Sequence, residues 1–163
     1  MKDSYLSREE LIKFIATLPT RRLAAGAVIR NEHGELLLVQ PNYKDGWILP
    51  GGTVEAGEAP KPGCFREVEE ELGLRLAPGR LLLVFHGLAR GVWGDSTYYM
   101  YDAGVIAKNT PVTLQTEELI TYKWVAPEQL QEYVNPGFAE RLHDCLRALR
   151  TGEVIEMSSD ERP

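Results

Sequence analysis

Apolar positions cluster in short runs that are broken by turn-forming residues. Residues 22–30 (RLAAGAVIR) and 35–40 (ELLLVQ) are of strand length, and Asn31-Glu32-His33-Gly34 between them makes a hairpin turn. Similar runs lie at 81–88 (LLLVFHGL), at 97–106 (TYYMYDAGVI) and around 120–125, ending in Trp124-Val125. Trp47-Ile48-Leu49 begins another run, which Pro50-Gly51-Gly52 cuts short with a tight turn. Helical spacing comes between these runs. Ser7 and Glu10 form a capping box that opens a helix over 8–17, ended by Pro19. Residues 60–72 form the clearest helix, with Pro60 in its first turn and Gly73 as its C-terminal cap. Pro62 and Gly63 predict that this helix is regular only from Cys64. Pro127 opens a helix over 127–134, and Pro136 a longer one to Arg150. From Ser158 the polar tail (SSDERP) is expected to fray. Strands interspersed with a few helices read as α+β or as a three-layer α/β/α sandwich.

Composition narrows this picture. A chain of 163 residues suits one domain, and 44% hydrophobic residues supply a real core. The expected organisation is a helical extension over 1–20, one domain over 21–157 and a tail over 158–163. The net charge of -6 counts against binding to long nucleic acid. Cys64 and Cys145 lack zinc-ligand spacing, so they read as two reduced, buried thiols. The polar N-terminus lacks the apolar run of a signal peptide, and no stretch has the ~20 apolar residues of a membrane span. A cytoplasmic protein is expected, with no membrane association.

The chemistry concentrates in GGTVEAGEAPKPGCFREVEEELGL. Glu67, Glu70 and Glu71 stand at i, i+3 and i+4 and share one helix face. Like charges at that spacing cost roughly a few tenths of a kcal/mol per pair. A hard divalent cation is the obvious compensation: magnesium, manganese or calcium. A Glu-rich amphipathic helix is by default only a solvated surface, so the glutamates alone do not decide the matter. Glu69 points away and reads as solvated, while Arg66 reaches Glu70 at i+4. Pro50-Gly51-Gly52 lets the backbone approach a ligand closely. Glu58 lies just before the helix, placed to cap it, pair with Arg66 or help hold metal.

Gly52, Glu58, Arg66, Glu67, Val68, Glu70, Glu71, Gly73 and Leu74 fill every position of a known pattern. That pattern is a glycine, five residues, a glutamate, seven residues, then Arg-Glu-apolar-x-Glu-Glu-x-Gly-apolar. Chance agreement is on the order of one in ten million per chain at ordinary composition. The segment resembles the box of the Nudix (MutT-like) hydrolases. The resemblance implies an α/β/α sandwich on a mixed sheet, with a loop–helix–loop that binds magnesium, manganese serving as a substitute. It implies Glu67, Glu70 and Glu71 as metal ligands, with the Gly51 carbonyl often joining them. Arg66 would orient the carboxylates, and Glu58 would support the loop or hold a further ion. The implied reaction is hydrolysis of a diphosphate linkage, in which the metal offsets phosphate charge and acidifies a water.

A glutamate would then take the proton. Glu67 is one candidate, and Glu118 and Glu117 in QTEELITYKWV are the others, with Glu118 slightly favoured. Lys44 and the Arg21–Arg22 pair are candidate phosphate contacts, and Trp47 and Tyr99 candidate ring contacts, against the plainer readings of exposed cation and core aromatic. Alternation puts Tyr99 and Tyr101 on one strand face and Tyr98 and Met100 on the other. About fifteen residues beyond the box stand Ala89, Arg90 and Gly91, which match neither the proline of ADP-ribose hydrolases nor the tyrosine of dinucleoside polyphosphate hydrolases. A small nucleotide is the expected partner, with a nucleoside triphosphate or nucleotide sugar first. Homodimerisation is also expected, through the N-terminal helix or the C-terminal helices. Two other readings are a Nudix-fold module that senses a nucleotide without cutting it, and a prenyl diphosphate isomerase. No box carboxylate is degenerate, as the former would require, and no convincing acid–base set outside the box supports the latter.

Overall fold

The structure is a computed structural model that describes residues 5–159. The first four residues of the expected extension and the last four of the expected tail lie outside the described residues. The elements run α1 (Arg8–Ala16), β1 (Arg22–Arg30), β2 (Leu36–Pro41), β3 (Gly51–Thr53), α2 (Pro60–Leu72), β4 (Leu81–Gly87), β5 (Ser96–Val105), β6 (Leu119–Val125), a 3-10 segment (Pro127–Glu132), α3 (Pro136–Thr151) and β7 (Ile155–Ser158). Among the described residues the strands form one mixed sheet in the order β6-β2-β1-β5-β4-β7, with β3 also paired to β1. β1–β5 and β4–β7 are parallel, and the other pairs are antiparallel.

Helices cover both faces, which makes the expected α/β/α sandwich. Alternation along the strands divides two cores. Ala25, Ala27, Ile29, Leu37, Val39 and Tyr101 face α2, which answers with Cys64, Phe65, Val68 and Leu72. Val28, Leu36, Leu38 and Met100 face α3, which answers with Phe138, Leu142, Cys145 and Ala148. A strand buried on both sides cannot show polar alternation, and so β1 reads as a continuous apolar run. At its centre the Tyr98 ring lies across Gly26, where any Cβ would strike the phenol oxygen.

Several boundaries differ from the sequence reading. α2 is helical from Pro60, not from Cys64. Pro60 and Pro62 fall in the first turn, where amides have no helical partner to lose, and the Gly63 amide already donates to the Ala59 carbonyl at 3.1 Å. Gly51–Thr53 is a strand, not merely a turn, because it pairs with Ala24–Gly26. Gly51 has φ +147°, and a Cβ there would run into the Ala25 carbonyl. Residues 127–132 form a 3-10 segment, as suits a short piece opened by Pro127 and soon followed by Pro136. Ser158, where fraying was expected to begin, ends β7, a strand held by its parallel pairing to β4.

α1 has the expected capping box: Ser7 Oγ accepts from the Glu10 amide at 3.2 Å, and Glu10 Oε2 from the Ser7 amide at 2.8 Å. None of its residues is buried, and Leu11, Ile12, Phe14 and Ile15 are each 44–54% exposed. Among the described residues no helix is long and apolar enough to cross a membrane.

Candidate active site

β3 hands the chain from the sheet to α2. The Ala27 amide donates to the Pro50 carbonyl at 2.8 Å and the Val54 amide to the Leu23 carbonyl at 2.9 Å, so the glycine pair is bound flat against β1. α2 must bury Cys64, Phe65, Val68 and Leu72, which turns Glu67 and Glu71 toward that glycine pair. Glu71 is only 3% exposed, and Gly51 donates its amide to Glu71 Oε2 at 3.0 Å. Glu67 sits over Gly52, where an added Cβ would come within 2.7 Å of its carboxyl carbon.

Arg66 organises the outer part of the box. Its Nε and Nη2 donate to the two oxygens of Glu58 at 3.1 and 2.8 Å, a bidentate pair. Its Nη1 donates to Glu67 at 3.1 Å and to Glu70 at 3.0 Å. Glu58 also accepts from the Glu55 amide at 2.9 Å. Arg66 and that amide hold the Glu58 carboxyl down to about 2. Glu69, read as merely solvated, pairs with Arg75 at 2.6 Å.

Burial acts in the opposite direction further in. It pushes the Glu71 carboxyl up to about 8, despite the Gly51 amide, with Glu67, Glu118 and Glu70 adding repulsion. Glu67 is raised as well, chiefly by burial, although Arg66 opposes this. Among the described residues no three His, Cys, Asp or Glu side chains are grouped closely enough to hold an ion, and Glu67 and Glu70 are both bonded to Arg66. The donors still suit a hard divalent cation: they are carboxylate oxygens, and the innermost one is buried without a cationic partner.

The Glu117–Glu118 segment is tied to the same helix. The Gln115 amide donates to the Glu71 carbonyl and the Thr113 amide to the Leu72 carbonyl, both at 2.9 Å. The charge of Glu118 adds to the rise of both Glu67 and Glu71. The Glu117 backbone instead receives Asn42 Nδ2 at 2.7 Å.

The proposed substrate contacts are scattered. Trp47 packs edge-on against Tyr133 at 5.9 Å beside the α3-side core. Tyr99 stacks on Tyr101 at 6.4 Å beside the α2-side core. Both rings are partly buried and pack against the two cores. The Arg22 guanidinium lies over the Trp93 ring at 4.9 Å. Lys44 is exposed on the loop after β2. Asn42, Tyr43 and Glu55, all near the cluster or its supports, escaped the sequence reading. Only the polar character of residues 41–46 hinted at the first two. Cys64 and Cys145 are buried and unpaired, and burial pushes each thiol up to about 12, far from a nucleophile's range.

The NUDIX domain family model matches residues 20–147. The chain belongs to the Nudix family. A MutT-like protein of Streptomyces ambofaciens is 28% identical over 131 residues, 78% of this chain and 79% of its own length. Nudix hydrolase 5 of Arabidopsis thaliana is 34% identical over 90% of this chain, which spans 54% of that protein. The crystal structure of a MutT protein from Methanosarcina mazei Go1 superposes with a TM-score of 0.67 at 28% identity, covering 84% of this chain and 99% of that one. As a Nudix protein the chain is a hydrolase of pyrophosphate bonds, of a family that generally uses divalent metal cations.

Proposed function

We propose that this Nudix domain is a magnesium-dependent pyrophosphohydrolase acting on a nucleoside diphosphate linked to another group, a nucleoside triphosphate or nucleotide sugar first. The observation that carries this reading is the buried Glu71, a hard oxygen donor with no cationic partner among the described residues, on one helix face with Glu67 and Glu70. Glu67, Glu70 and Glu71 are the proposed metal ligands, with the Gly51 carbonyl and Glu58 as lesser ones. A divalent cation there, magnesium or manganese, offsets the diphosphate charge and acidifies a water. Arg66 orients Glu58, Glu67 and Glu70, and Glu118 is the proposed general base, ahead of Glu67 and Glu117, because its charge acts on the cluster. Lys44 and Arg22 remain proposed phosphate contacts.

The test is a panel of nucleoside triphosphates, nucleotide sugars and dinucleotides, incubated with magnesium or manganese and resolved by mass spectrometry. Release of a nucleoside monophosphate, phosphate or pyrophosphate is expected from at least one member. Tight calorimetric binding without any product would replace hydrolysis by nucleotide sensing.

Two further assignments accompany this. The catalytic domain is taken as 21–157, with α1 as an extension outside it. A nine-residue helix with four half-exposed apolar side chains is marginal alone in water, which supports a homodimer contact through α1. Sedimentation should give a dimer that Leu11→Lys with Phe14→Lys dissociates. A monomeric wild type would remove this assignment. A cytoplasmic setting is proposed from the two unpaired thiols.

A further inference from the structure

The loop between β2 and β3 is fastened at two points. The Val39 and Ile48 backbones exchange hydrogen bonds at 2.9 Å and close its base. Asn42 then clasps it to the turn before β6: its amide donates to the Glu118 carbonyl at 2.8 Å and its Nδ2 to the Glu117 carbonyl at 2.7 Å. That turn is itself bound to the end of α2 through Gln115 and Glu71. Three segments distant in sequence therefore meet where Tyr43 leaves the clasp.

Tyr43 is 64% exposed, and among the described residues its hydroxyl makes no hydrogen bond. Partial burial raises the Tyr43 phenol above its ordinary range, and the charges of Glu71, Glu118 and Glu67 add to that rise. The hydroxyl, protonated at neutral pH like any phenol, is a donor without an acceptor among the described residues. Tyr43 and Lys44 also line one surface cavity of about 420 Å³, together with Gln40, Asp45 and Ile120. A surface tyrosine is ordinarily unremarkable. A free hydroxyl donor and a neighbouring lysine, on a loop clasped to the Glu117–Glu118 turn, together suit an anionic ligand.

We propose that Tyr43 is a substrate-binding residue whose hydroxyl donates to a phosphate oxygen of the diphosphate, with Lys44 beside it offsetting the charge. This rests on the diphosphate substrate proposed above. Calorimetry of the full chain with magnesium and α,β-methylene-ADP, a diphosphate that resists cleavage, tests it. Tyr43→Phe keeps the ring and removes the donor, and it should weaken binding about tenfold, as expected for one hydrogen bond to a charged group. Tyr43→Ala should be no weaker than Tyr43→Phe, because the ring is not the contact. For any panel substrate that turns over, KM should rise by a similar factor while kcat holds. Tyr43→Phe with wild-type affinity overturns the proposal and leaves the hydrolase reading standing. A wild type that neither binds the analogue nor cleaves any panel substrate overturns both. At 64% exposure, neither substitution should disturb folding, and circular dichroism checks this.

Discussion

The Gly51 amide donates to the Glu71 carboxylate across 3.0 Å, joining the strand before the box to the helix within it. Twenty residues separate the two in sequence. The bond gives a buried carboxylate its only hydrogen bond among the described residues. A Glu71→Gln variant keeps an oxygen acceptor for Gly51 and loses the buried charge. It should fold at least as stably as the metal-free wild type while turnover falls on the order of 100-fold or more. Glu71→Ala strands the amide and should in addition cost about 1–3 kcal/mol in urea unfolding. Full activity in Glu71→Gln would mean that this carboxylate does not serve the metal.

The Arg66–Glu58 pair should have a pH signature. Glu58 is held down to about 2, below the ordinary 4.5, so its contribution is present above about pH 5 and is lost as pH falls through about 2. Lysine cannot reproduce the bidentate fork. The melting temperature of Arg66→Lys should therefore lie below that of wild type at neutral pH, with the gap closing between pH 4.5 and 2. A gap that stays constant across that range would assign the loss to packing alone.

Two glycines make room for carboxylates. An added Cβ at Gly52 would stand 2.7 Å from the Glu67 carboxyl carbon, and one at Gly63 would stand 2.6 Å from Glu58 Oε1. Each obstacle is the far end of a flexible side chain, so Gly52→Ala and Gly63→Ala should fold. Alanine at Gly63 even gains about 1 kcal/mol of helix propensity. Both variants should lose activity, on the order of tenfold, because Glu67 or Glu58 must move aside. Wild-type rates in both would show that those carboxylate positions do not matter.

Glu118 and Glu117 separate by electrostatics. Only Glu118 is felt by Glu67 and Glu71, so Glu118→Gln should lower kcat by about 100-fold or more, and Glu117→Gln should stay close to wild type. The reverse ranking would exchange their roles.

The strands from Arg22 to Arg30 and from Leu36 onward, the caps of α1 and α2, and the division of Tyr98–Tyr101 between two faces were all legible in local spacing. Each depends on contacts within a few residues or on the period of one element. β3 and β7 were not legible, since a three-residue glycine strand and a four-residue edge strand carry no period and exist through their pairing with β1 and β4. The ring partners of Trp47 and Tyr99, which are Tyr133 and Tyr101, were not legible either, because an aromatic beside a glycine loop and one on a strand look alike until their neighbours are known.

The box belongs to the first kind of information. Its helix face, its glycine pair and its arginine follow from spacing along one chain segment, and with them the reaction class. The tertiary structure added the unequal state of its carboxylates: Glu58 exposed to Arg66 and readily charged, Glu71 buried against Gly51 and resisting charge. It also clasped Asn42, with Tyr43 next in the chain, to the backbone of Glu117 and Glu118. Burial and Coulomb energies depend on distance in space, and residues 43, 71 and 118 become neighbours only when β2, α2 and the turn before β6 pack together.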